Sequence, residues 1–112
     1  TVPNHITRRT ATVQARMAAA MTGTFGFELD LSRYSAEDLA ELRLYVEFYR
    51  AHGALLRGGD LYRLCPPDGA GAAWAIAAPD DGEAVVFAVG AVLDGRSLPL
   101  PFVRPGRYAV CP

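Results

Sequence analysis

Glu28 and Asp30 come closest, by type and spacing, to a catalytic pair in this 112-residue chain. Residues two apart on a strand point to the same face, which sets these carboxylates roughly 7 Å apart. That separation suits a glycosidase, in which one carboxyl protonates the leaving oxygen and the other attacks the sugar. A carboxylate at a strand end more often accepts hydrogen bonds from nearby backbone or from arginine. Asn4 and His5 form a second candidate site with Arg8 and Arg9, although a histidine in a polar loop is more often solvated or structural. His52 sits near a helix end, where a cation is favoured by the dipole. Asp60, Tyr62 and Arg63 read as a local network at a strand start. Trp74, flanked by alanines, is either a sugar-stacking platform or, more commonly, part of a core. No metal-ligand spacing, phosphate-cradling glycine loop or nucleophile elbow occurs, so no metal or cofactor is expected.

The elements that must position these groups follow from periodicity. Thr10 can cap a short helix carrying Val13, Met17 and Met21 on one face, stopped at Gly23. From Thr24 to Leu31 the apolar residues Phe25, Phe27, Leu29 and Leu31 alternate with smaller or polar ones, the period of a strand. Ser35-Ala-Glu-Asp38 is a capping-box sequence. It opens a helix with a wide apolar stripe of Leu39, Leu42, Tyr45, Val46, Phe48 and Tyr49, interrupted or ended at His52-Gly53 or at Gly58-Gly59. Beyond Asp60 the pattern changes to short strands: Leu61–Cys65, Ala72–Ala78, Ala84–Leu93 and a weaker Tyr108–Val110. The second and third are joined by the turn Pro79-Asp-Asp-Gly82. The composition shift near residue 60 marks a boundary between two architectures.

Eleven basic residues, all arginine, stand against twelve acidic ones, for a net charge of −1. That balance gives no electrostatic case for nucleic acid or an anionic membrane. The longest apolar stretch, Glu83–Leu93, is too short to cross a bilayer. The opening residues lack a charged start followed by an apolar run, so the chain is expected to be cytoplasmic. Cys65 and Cys111 could pair if the fold brought them together, but buried thiols are the expectation in that compartment.

Several segments taken in order resemble one family. Val2-Pro-Asn-His5, Gly23-Thr-Phe-Gly-Phe-Glu-Leu-Asp-Leu31 and Gly59-Asp-Leu-Tyr-Arg-Leu64 are similar, in sequence and spacing, to bacterial α-galactosidases of glycoside hydrolase family 36. Ala73-Trp74 and Glu83-Ala-Val-Val-Phe87 extend the likeness to about residue 93. The resemblance implies an α+β chain: the last helix, strand and helix of a (β/α)8 barrel, then part of an antiparallel β-sandwich domain. Residues 1–58 would end the catalytic barrel, with a helix over 11–22, the eighth strand over 24–31 and the closing helix over 35–57. Residues 59–112 would begin the C-terminal β domain, incomplete here.

The family's catalytic aspartates lie in motifs upstream of Val-Pro-Asn-His, and neither motif is present. No catalytic residue is therefore carried over. Asn4, His5, Glu28 and Asp30 remain only as weak candidates for substrate binding. The implied function is the C-terminal portion of a retaining α-galactosidase acting on terminal α-galactosyl groups of oligosaccharides and inactive alone. Its partners would be the upstream barrel or other copies of the chain. The alternative is a non-catalytic β module for barrel stabilisation, oligomerisation or carbohydrate binding. A barrel strand without its neighbours leaves unpaired backbone, so an isolated chain is expected to be marginal or self-associating through 24–31.

Overall fold

In the computed structural model the described residues are 6–28, 30–65, 71–80, 82–90 and 97–110. Two helices precede a three-stranded antiparallel sheet. Helix α1 spans Val13–Ala20 and begins at Thr12, two residues after the expected cap, where the Thr12 hydroxyl accepts from the Ala15 amide at 3.2 Å. Met17 and Met21 are buried from the predicted stripe, with Val13 packed beside them.

Helix α2 spans Ala36–Gly58. Its start is the capping box read from the sequence: the Asp38 amide donates to Ser35 Oγ at 3.1 Å, and the Ser35 amide donates to the Asp38 carboxylate at 3.3 Å. His52-Gly53 does not interrupt it. The helix stops at Gly58-Gly59, where the Gly59 amide donates to the Leu55 carbonyl. Gly53 makes room for Arg57 to fold back along the helix, its guanidinium 5.7 Å from the Tyr49 ring centroid.

Strands β1 (Asp60–Cys65), β2 (Gly71–Ala77) and β3 (Ala84–Gly90) are ordered β1-β2-β3. Trp74 lies opposite Arg63 on one side and Phe87 on the other, with a bulge between Arg63 and Cys65. The β2–β3 turn is closed by the Ala78 amide on the Glu83 carbonyl, and Asp80 accepts from the Gly82 amide. One sheet face carries Ile76, Phe87, Trp74 and Val85 against Met17, Met21, Leu42 and Leu56 of the helices. The other face presents Ala75 and Ala77, covered by Phe102, with Tyr62 and Leu64 packed alongside. The Tyr62 and Phe102 rings are 4.9 Å apart.

Three strand expectations change. Residues 24–28 and Asp30 lie outside any ladder, and Leu31–Arg33 is a short 3-10 turn, so the predicted strand 24–31 is absent among the described residues. The reason is pairing: alternation creates a strand only where another strand supplies hydrogen bonds, and none lies beside this segment among the described residues. Tyr108–Val110 is likewise not a strand; the Tyr108 hydroxyl instead bonds the Arg104 carbonyl at 2.6 Å. Strand β3 stops at Gly90, which has φ 73°, and residues 91–93 of the expected strand lie outside the described residues.

Candidate functional site

Segment 23–33 runs across the surface between the two helices and holds the most promising acidic residues. Its root is aromatic: Phe25 packs on Tyr49 of α2 with ring centroids 4.9 Å apart, and on Phe27 at 5.1 Å. The Tyr49 hydroxyl donates to the Gly23 carbonyl at 3.2 Å, which pins the entry to the segment. After it, Asp30 caps the 3-10 turn through the Ser32 amide and hydroxyl, at 3.2 and 2.6 Å. Arg33 adds an ion pair at 3.1 Å.

Asp30 is therefore a capping residue. The hydrogen bonds from Ser32, with a smaller contribution from Arg33, hold its carboxyl below the usual value of 3.8. A general acid needs the opposite shift, towards neutral pH. Glu28 is exposed, one residue outside the pinned turn, and the structure does not join it to Asp30 in a shared pocket. Asn4 and His5 lie outside the described residues.

His52 lies half-buried against Phe48, with ring centroids 4.5 Å apart, and its Nδ1 is 2.8 Å from Glu83 Oε1. This contact ties α2 to the β2–β3 turn and explains His52 as a strut. An open depression of about 320 Å³ lies beside it, lined by Leu55, Gly58, Gly59, Pro79 and Glu83 among others. Among the described residues its one carboxylate, Glu83, is already engaged by His52, so no set of convergent polar groups from them faces the space.

The network expected of Asp60, Tyr62 and Arg63 is divided by the strand, because Arg63 points to the face opposite the other two. Trp74 is stacked on Phe87 at 5.4 Å and belongs to the core. Its indole nitrogen and the Tyr34 hydroxyl are buried without a hydrogen-bond partner among the described residues. Burial and the neighbouring Glu41 raise the Tyr45 hydroxyl above its ordinary value, as expected where a phenol donates to a carboxylate. Cys65 is half-buried at the end of β1; Cys111, its possible partner, lies outside the described residues. No group of three metal-binding side chains occurs among the described residues, and no described helix is long and apolar enough to cross a membrane.

With an unladdered acidic segment rooted on a long helix and no assembled site, comparison with known proteins decides the family. Residues 1–59 match the Melibiase family. The chain belongs to that family. It is 36% identical over 104 residues to the α-galactosidase AgaA of Geobacillus stearothermophilus, covering 92% of this chain and 14% of that enzyme. It is 35% identical over 86 residues to α-galactosidase 1 of Pediococcus pentosaceus, covering 76% of this chain and 12% of the relative.

Among solved structures, the galactosidase domain of the α-galactosidase–sucrose kinase AgaSK superposes with a TM-score of 0.75 at 33% identity, covering 80% of this chain and 13% of that one. The GH36 α-galactosidase AgaA in complex with stachyose gives a TM-score of 0.71 at 37% identity, covering 77% and 12%. This melibiase-family chain therefore corresponds to a small part of GH36 α-galactosidases, one seventh or less of the length of these relatives.

Proposed function

We propose that the chain is the C-terminal part of an α-galactosidase that hydrolyses terminal α-galactosyl groups, and that it supplies framework, not catalytic groups. Residues 1–58 would complete the catalytic barrel and residues 59–112 would open the C-terminal β domain. The observation that carries this reading is segment 24–28: aromatic, anchored on α2 through Gly23 and Phe25, yet without a ladder partner among the described residues. Such a segment suits insertion between strands supplied by the rest of a longer enzyme. The family match also ends at residue 59, where α2 gives way to β1. In this reading the catalytic aspartates sit in the upstream barrel, and the crystallised relative's stachyose complex points to α-galactoside oligosaccharides as substrate class.

Trp74 is half-buried with its ring stacked on Phe87, which favours a framework role over a separate carbohydrate-binding module, because a stacking platform must keep its ring face open. The test is hydrolysis of a chromogenic α-galactoside by the purified 112-residue chain beside its Glu28→Gln variant. The expected result is no turnover by either. Turnover by the parent chain that is lost in Glu28→Gln would overturn the reading, since this segment would then hold its own acid.

A further inference from the structure

The two outer strands of the sheet are built differently. Strand β1 carries Asp60 and Arg63, both exposed, and is broken by the bulge between Arg63 and Cys65. Charges and bulges are the means by which edges resist pairing. Strand β3 has neither: Ala84-Val-Val-Phe-Ala-Val-Gly90 is uncharged, contains no proline and pairs with β2 in unbroken register over all seven residues. Its outer edge has no strand beside it among the described residues. A seven-residue, uncharged segment of high β-propensity is a template for another strand.

The sequence of β3 selects the occupant. An isologous contact requires a surface that matches itself under a two-fold rotation. Set antiparallel to a copy of itself about Phe87, β3 places Val85 opposite Val89, Val86 opposite Ala88 and Ala84 opposite Gly90. Every pair is apolar, and the side-chain faces agree: Val85, Phe87 and Val89 stay on the helix side in both copies. Like charges never meet in this register. The same operation on β1 about Tyr62 would set Arg63 opposite Leu61 and leave both arginines beside the axis, next to the bulge. We infer that β3 is a self-association edge, through which two copies of this chain join their sheets into one six-stranded sheet about an axis at Phe87. This goes beyond the α-galactosidase reading and concerns the 112-residue chain on its own, with no further strand supplied beside β3.

Sedimentation of the 112-residue chain over a wide concentration range tests it. The mass should rise from 12.0 kDa towards twice that value. Val86→Lys, at a position 44% exposed, should return the chain to monomer with an unchanged far-ultraviolet circular dichroism spectrum. Leu44→Lys, on the outer face of α2 and 65% exposed, should leave the dimer intact. Hydrogen exchange of the unmodified chain gives an independent reading: amide protection across 85–89 should grow with concentration, and that across β1 should not. A chain that stays monomeric at high concentration overturns the inference. So does a dimer that ignores Val86→Lys, is dissociated equally by Leu44→Lys, or gains protection over 24–28 instead of β3.

Discussion

At the scale of single residues, several polar groups of this chain terminate elements. Ser35 and Asp38 cap α2 reciprocally, and replacing Ser35 by Ala should lower stability by about 1 kcal/mol in chemical denaturation. Asp30 caps the 3-10 turn, and its carboxyl is held below 3.8 by Ser32 first and Arg33 least. A depressed carboxyl stabilises the fold above its unfolded value, and that contribution is lost as pH falls through the folded value. Asp30→Asn should therefore lower the melting temperature slightly at neutral pH, with the difference from the parent vanishing in strong acid. Thermal scans of both proteins across that range check the sign. The buried Tyr34 hydroxyl has no partner among the described residues, and an unmatched buried group costs about 1–3 kcal/mol. Tyr34→Phe should accordingly be neutral or stabilising in the isolated chain, measured by denaturant titration. A clear loss would mean that the hydroxyl has a partner.

Among the elements, the two helices were legible because their information is local. The Ser35-to-Asp38 box and the stripe of Leu39, Leu42, Val46 and Tyr49 specify α2 without reference to distant chain. Gly59 shows where tertiary contact takes over. A Cβ there would lie 2.7 Å from both the Ala77 carbonyl oxygen and Ile76 Cγ2, and 2.9 Å from the Leu55 carbonyl oxygen. Two of these three are backbone atoms that cannot swing away, so the glycine is needed for the close approach of α2's end to β2. Gly59→Ala should cost about 1–3 kcal/mol by overpacking, read from the shift in denaturation midpoint. Segment 24–31 illustrates the opposite case. Its alternation is as regular as that of any strand in the chain, yet period alone cannot supply a neighbour. Glu28 and Asp30 looked like a pair only because a strand was assumed. Once Asp30 turns into its cap, the shared face is gone.

The molecule as a whole has a core built from moderate pieces. The described residues include no buried charged or polar residue, and no large side chain is wholly shielded from solvent. The radius of gyration is 15.3 Å, against about 13 Å for a compact domain of this length. Two separate clusters hold it: the helices on one sheet face, and Phe102 on the alanine face. Among the described residues Phe102 alone of the large side chains in its cluster comes from outside the sheet to cover Ala75 and Ala77, so Phe102→Ala should destabilise by about 3 kcal/mol. Loss of cooperativity in a thermal scan is the expected reading, since the outer face would then lie open.

The sequence by itself determined the two helices, three of the four strands expected after residue 60, the turn at Pro79–Gly82 and the family, because caps, periods and ordered motifs are short-range signals. Only the tertiary structure decided what the remaining polar residues do. It made Asp30 a cap and His52 a strut to Glu83, put Trp74 in the core, and left 24–28 and the outer edge of β3 without strand neighbours among the described residues. The reason is that a strand or a site is a relation between distant segments. Its hydrogen-bond partners and its geometry exist only once the chain has folded.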